Sequence, residues 1–509
     1  MPSQLEQVLM DIGPCLSSTA AAELRTRHGL SAAAARQRIS RSDFPVRQLD
    51  LRFRRGASFL FLASQFQTQA FFRALSDALE ANNGAYARTL QAIGARGGIM
   101  PIAHLPSAAG LADASRQLGA QEVLDRLVRA GVLAEVQVPG HGACIAFAAA
   151  AEHDEPLQRM KARLVVEGVL LDAVKQWARN LALGSFDLFN LRGAETPPTV
   201  GRFQWDLTAP SYLSGLTVWD ARGNKPKPGF LVADVLLGHG SVDEPALRPF
   251  LYKSETLRKM NAGRCMQFFL AEGFTNEALM RLRRNGVVPA RVEELFGRDV
   301  ARALKELISI LTQTAAAAVD PEKFDMLFSS LGRFEGAAGR LRGALFEFVA
   351  AALLQEEGWH EVVINKVYRE GGKDVAEVDV RARRGDEVLF VECKGILPGA
   401  VLDDGEVAIW LDKRIPTVAG RAHDNDEYAN CKLKFELWTT GGLSANASAM
   451  IEAKQALVRP TKYTQEVRQG RELSQMARRH KRRQPALLAV LEQHFLASPL
   501  SDSKSVASS

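Results

Sequence analysis

The chain has 509 residues, 47% hydrophobic and 24% charged, with a formal net charge of +6 and a pI near 9.0. That length suits about three or four domains with real apolar cores, and the mild basicity permits a nucleic-acid partner without demanding one. Five scattered cysteines (Cys15, Cys144, Cys265, Cys393, Cys431) without a C-x-x-C pair exclude a zinc ribbon or a disulfide framework; with no apolar run near the roughly twenty residues that span a bilayer, a cytoplasmic protein with no membrane partner is expected.

The first 150 residues are alanine-rich and divide into two similar blocks. In the first (1–75), helices around Leu5 to Ile12 and Ser18 to Arg27 precede Gly29. A third helix follows over Ser31 to Arg41, and then strand-like runs Val46 to Phe53 and Ala57 to Leu62 flank the turn Arg54-Arg55-Gly56. This order resembles a winged-helix domain. The resemblance implies that the third helix reads DNA, with Arg36, Arg38 and Arg41 reaching the duplex and Arg54 and Arg55 on the wing.

The second block (76–152) repeats the theme with a helix over Ala85 to Ala95, a strand at Gly98 to Ile102 and a helix over Ala120 to Ala130. Strands Val132 to Val138 and Ala143 to Phe147 close over Pro139-Gly140-His141-Gly142. Its last helix carries Glu122 and Asp125, which makes it a weaker DNA reader and leaves protein contact open as its role. His104 and His141 are isolated and read as loop or packing residues.

The middle region (157–315) opens with a helix from Val165-Val166-Glu167-Gly168 through Trp177. Strand-like Phe203 to Leu207 and Gly229 to Val235 follow, and Met266 to Asn276 parallels Phe435 to Ala445 further on. Glu167, Asp206 and Asp234 are its candidate acids, with structural carboxylates as the default. No lysine stands near Asp234 on its strand.

The C-terminal region (325–497) carries the chemistry. A helix through Gly343 to Ala350 runs to Glu357, breaks at Gly358 and presents Glu347. Ala376 to Arg381 alternates, Arg384-Gly385-Asp386 turns the chain, and Leu389-Phe390-Val391 leads into Glu392-Cys393-Lys394-Gly395. With a side-chain period of two, Glu392 and Lys394 share a face while Val391 and Cys393 point into the core, and the hairpin sets Asp379 beside Glu392. Two adjacent carboxylates repel unless a cation lies between them, and oxygen donors suit Mg²⁺ or Mn²⁺. Cys393 is expected to be a small core residue, and Glu377 a neighbour that faces solvent.

This arrangement resembles the PD-(D/E)xK nuclease superfamily, the restriction-endonuclease-like fold of many restriction enzymes, Mrr-type endonucleases and archaeal Holliday-junction resolvases. The resemblance covers roughly residues 330 to 480. It implies Asp379 and Glu392 as metal ligands, Lys394 as the lysine that positions water and Glu347 as a further acid. No proline precedes Asp379, which departs from the family pattern. The fold class expected is therefore multidomain α+β and α/β: N-terminal winged-helix repeats, then a divergent and an intact restriction-endonuclease-like α/β domain.

Beyond the site, Trp410-Leu411-x-Lys413-Arg414 begins a segment with a basic face. A strand over Lys434 to Thr440 ends at Gly441-Gly442, and a helix spans about Ala445 to Ala456. The run Arg478-Arg479-His480-Lys481-Arg482-Arg483 reads as a phosphate grip or a solvated charge run, and residues 498–509 as a flexible tail. There is no G-x-x-x-x-G-K-[ST] loop, so ATP-driven translocation would need a separate ATPase subunit; there is no H-E-x-x-H. The function implied is a Mg²⁺-dependent DNA endonuclease, leaving 5′-phosphate, for restriction of foreign DNA or for repair and recombination. The alternative is a DNA-binding regulator or scaffold that no longer cuts. Double-strand cleavage would favour a homodimer.

Overall fold

A computed structural model describes residues 2–497 other than 52, 54–55, 83, 113–118, 139, 152, 221–223, 261–262, 313–319, 371–372, 424–427, 429–430 and 459–462. The chain is mixed α/β and multidomain. It forms two compact units. One takes residues up to Val136, His141–Met160 and Ala178–Arg291; the other takes Lys161–Trp177 and the chain from Val292 onward, with Gln137–Gly140. Among the described residues no helix is long and apolar enough to cross a membrane.

The first unit opens with helices Gln4–Ile12, Ser17–His28 and Ala32–Ser40. Ser3 and Glu6 start the first through a reciprocal capping box, Gly29 ends the second in the left-handed region, and Ser31 caps the third. Three short strands follow the order Cys15–Leu16, Phe59–Leu62, Val46–Gln48. The strand expected over Val46 to Phe53 stops at Gln48 because Leu49, Leu51 and Phe53 bury themselves in an apolar cluster with Phe59 and Phe71.

A second block repeats that plan with helix Gly84–Gly94, strand Ile99–Pro101, helices Leu105–Ala109 and Ala120–Arg129, and strands Leu133–Val138 and Gly142–Phe147. Its sheet order is again first, third, second. The same unit holds a five-stranded sheet ordered Asn190–Leu191, Leu207–Ser211, Gly229–Val242, Cys265–Phe274, Val288–Arg291. The first two junctions are antiparallel and the last two parallel, with helices Glu244–Lys259 and Asn276–Arg284 as crossovers.

The second unit is built on a sheet ordered His360–Glu370, Lys373–Arg384, Glu387–Lys394, Lys432–Thr439, Thr464–Gln469. Its junctions repeat the pattern: two antiparallel, then two parallel. The Glu387–Lys394 strand is the middle one and is buried almost throughout, as its continuous apolar run requires. Helix Ala337–Glu356 packs against its end. A Cβ at Gly395 would collide with the Arg342 carbonyl and with Phe346, so the glycine after Lys394 lets that helix approach.

Candidate active site

The last laddered pair between the two hairpin strands is Val380 and Val391, which leaves Asp379 and Glu392 facing each other at the end of the ladder. The Cys393 N–H donates to Asp379 Oδ2 at 2.7 Å, tying the carboxylate to the neighbouring strand. Glu392 is buried, and Lys394 Nζ lies 3.1 Å from its Oε1. The Lys394 ammonium also meets Glu406 Oε2 at 2.6 Å, from helix Asp404–Ile409. Arg414, at the end of a π-helical turn over Trp410–Arg414, pairs with Glu392 as well; such turns recur where a helix must re-aim a side chain.

Glu347 lies in the middle of helix Ala337–Glu356 and accepts a hydrogen bond from Asn365. Asn365 sits at φ 57° between the pairs Ile364–Val380 and Lys366–Val378, a left-handed conformation that asparagine tolerates. Glu377 does not face solvent as its strand position suggested. It is mostly buried and paired with Lys161, which arrives from helix Asp154–Asn180.

The charges are unbalanced in favour of acid. Burial pushes Glu347 well above the usual carboxylate range, and the negative charges of Asp379 and Glu377 push it further. Burial raises Glu377 although Lys161 opposes it. It raises Asp379 despite the Cys393 N–H, Lys394, Arg414 and Lys161. Burial and the neighbouring acids also hold the Cys393 thiol far above its ordinary value, so it cannot serve as a thiolate nucleophile near neutral pH.

Surplus buried negative charge fits a divalent cation bound through oxygen. Among the described residues no three acidic, histidine or cysteine side chains gather tightly enough to enclose an ion by themselves. Two carboxylates completed by water and phosphate oxygens are the usual Mg²⁺ arrangement, and Asp379 with Glu392 can supply that pair. A cavity of about 20 Å³, with Glu377, Glu392 and Arg414 as its charged lining, has room for one water-sized species.

No protein-family model and no curated protein matches this chain.

The central sheet carries the same backbone device with different cations. Asp206 precedes strand Leu207–Ser211 and lies opposite Asp234, since Leu207 pairs with Ala233. The Val235 N–H donates to Asp206 Oδ2 at 2.9 Å, as Cys393 does to Asp379. Leu236 holds the place of Lys394 and is buried. The ammonium comes instead from helix Glu244–Lys259: Lys253 Nζ is 2.5 Å from Asp234 Oδ2, 3.0 Å from the Gln204 carbonyl and 4.2 Å above the Trp205 ring. Arg192 and Ser107 each reach Asp206 Oδ1 at 3.3 Å. Burial pushes Asp234 up to about 6 against the pull of Lys253. Burial acts on Asp206 too, but Arg192, Arg96, the Val235 N–H and Lys253 together hold it below its ordinary value. Glu167, expected with these acids, belongs to the other unit and pairs with Arg163.

Arg36, Arg38 and Arg41 are all exposed on or beside helix Ala32–Ser40. Arg38 and Arg41 are three apart and share a face, whereas Arg36 is turned away from Arg38 by about 200°. Arg54 and Arg55 lie outside the described residues, as does the tail from residue 498. The basic run near the C-terminus is partly spent on internal pairs: Arg478 meets Glu492 at 2.7 Å, and Arg479 and His480 meet Glu357 at 3.0 and 2.9 Å.

Proposed function

We propose that the chain is a metal-dependent DNA endonuclease whose centre is Asp379, Glu392 and Lys394, assisted by Glu347, and whose N-terminal blocks are winged-helix domains. The observation that carries this reading is the convergence of Asp379, Glu392 and Lys394 at one end of the middle strand, in surplus negative charge. Held by Asp379 and Glu392, Mg²⁺ or Mn²⁺ would polarise a phosphate oxygen and lower the pKa of bound water. Lys394, held in place by Glu392 and Glu406, orients that water and balances the charge that grows on the phosphorane. Glu347 adds negative charge beside the ligands. Restriction of foreign DNA is the favoured biology, with repair or recombination next.

Incubating plasmid and linear DNA with Mg²⁺ or Mn²⁺ beside a Lys394→Ala variant tests the assignment. Cutting should fall about 10²- to 10³-fold, the usual effect of losing one preorganised electrostatic group, while binding persists. Equal outcomes, both inert or both cutting, would sink it, and an inert pair that still binds DNA would favour a regulator or scaffold.

The winged-helix part is supported by two blocks that share one element order and one sheet order. Replacing Arg36, Arg38 and Arg41 together with Ala should weaken duplex binding across sequences. The slope of log affinity against log salt should drop by about 1 for each arginine that touches a phosphate. An unchanged slope and affinity in a filter-binding titration would count against this face.

A further inference from the structure

The acids of the C-terminal centre are served by cations from two directions. At the Glu392 end stand Lys394 and Arg414, with side chains 19% and 33% exposed. At the other end stands Lys161, 13% exposed, on a Glu377 that is 11% exposed. Glu377 lies two residues from Asp379 on the same strand, and the Lys161 charge also acts on Asp379 and Glu347. A buried ammonium paired with a buried carboxylate is a fixture of the fold, because freeing either partner would strand the other.

The central sheet shows the same solution carried further. There a lysine from a helix, Lys253, sits on Asp234, the counterpart of Glu392 by strand register. A compact ammonium on a flexible stem can supply the point charge that a metal ion would otherwise provide at a carboxylate. In the C-terminal centre that substitution covers only the Glu377 side, and the Asp379–Glu392 pair keeps its surplus of acid.

We propose that Lys161 is a positioning residue that makes this a one-metal centre, its ammonium supplying on Glu377 and Glu347 the charge that a second divalent ion would otherwise supply. Two-metal phosphodiesterases hold their ions about 3.5–4 Å apart and need carboxylates for both. Here the carboxylates beyond Asp379 are already committed to an internal cation. The inference rests on the nuclease reading, since it assigns the remaining ion to Asp379 and Glu392.

Calorimetric titration of the full chain with Mn²⁺ alone, without DNA, tests the stoichiometry directly. The wild type should bind one ion per chain, Lys161→Gln two, and Lys161→Arg one. Two ions on the wild type, or one ion of unchanged affinity on Lys161→Gln, would overturn the proposal. Should Lys161→Gln fail to fold, electron paramagnetic resonance of the Mn²⁺-loaded wild type decides: uncoupled ions support it, and a dipole-coupled pair overturns it. DNA cutting by a wild type that binds two ions would remove this inference alone. No Mn²⁺ binding together with no cutting would remove the nuclease reading as well.

Discussion

Asp379→Asn should abolish divalent-dependent cutting, by about 10³-fold or more if the metal supplies several kcal/mol of charge stabilisation, and should at the same time make the folded protein more heat-stable. The asparagine oxygen can still accept the Cys393 N–H that Asp379 Oδ2 accepts at 2.7 Å, so the strand geometry is kept. What disappears is a buried negative charge that repels Glu347 and Glu377. The sign follows from linkage. Glu347, Glu377 and Asp379 hold protons more tightly when folded than when unfolded. Below the ordinary carboxylate range both states are protonated and no penalty exists. As pH rises through that range and on through the raised folded values, the unfolded state ionises first and stability is lost. Thermal melts in a chelating buffer should therefore show the wild type weakening as pH rises across this window, with a shallower decline for Asp379→Asn. A variant that loses activity and stability together would show that the carboxylate is a structural support.

Lys253→Ala should be the most damaging single change to the first unit, costing about 3–5 kcal/mol, the range for removing one partner of a buried pair. The ammonium is wholly inaccessible and holds Asp234, the Gln204 carbonyl and the Trp205 face at once. Its loss leaves Asp234 buried beside Asp206, with Arg192 on Asp206 as the nearest remaining cation. Pairing Lys253→Met with Asp234→Asn should recover much of the loss, because a neutral pair of similar volume carries no desolvation penalty. Urea unfolding followed by tryptophan fluorescence would read this, since Trp205 lies against the lysine. DNA cutting below the melting range should be unaffected, as the pair is sealed from solvent. A single mutant as stable as wild type would mean that the pair is carried neutral in the folded chain.

Much of the frame was legible because periodicity records it. The alternation around Asp379, the turn at Gly385 and the apolar run into Glu392 are local signals, and the strands Lys373–Arg384 and Glu387–Lys394 follow them. The two N-terminal blocks were visible through their turn residues and caps, whereas helix Gln69–Asn82, which packs Phe71, Leu75 and Leu79 into the core, was passed over between two stronger patterns. The cations of both centres were not legible. Lys161 and Glu377 are 216 positions apart, and Lys253 looks like any basic residue on an amphipathic helix. Arg414 was noticed as part of a basic face, yet its engagement with Glu392 depends on a π-helical turn that no sequence period announces. Ion pairs made by tertiary packing leave no spacing to count. For the same reason Glu377 was taken for a solvent-facing neighbour although its partner lies in a distant helix.

The path of the backbone gives the chain an unusual kind of modularity. The unit with the candidate centre takes Lys161–Trp177 before the other unit is completed by Ala178–Arg291, so neither unit is a continuous stretch and no single scission separates them. A fragment beginning at residue 325 would carry every strand of the C-terminal sheet and none of the helix that bears Lys161. Recombination that shuffled whole domains could not have delivered this centre intact. Its ancestry must be sought in chains that already carried the long helix and both sheets together.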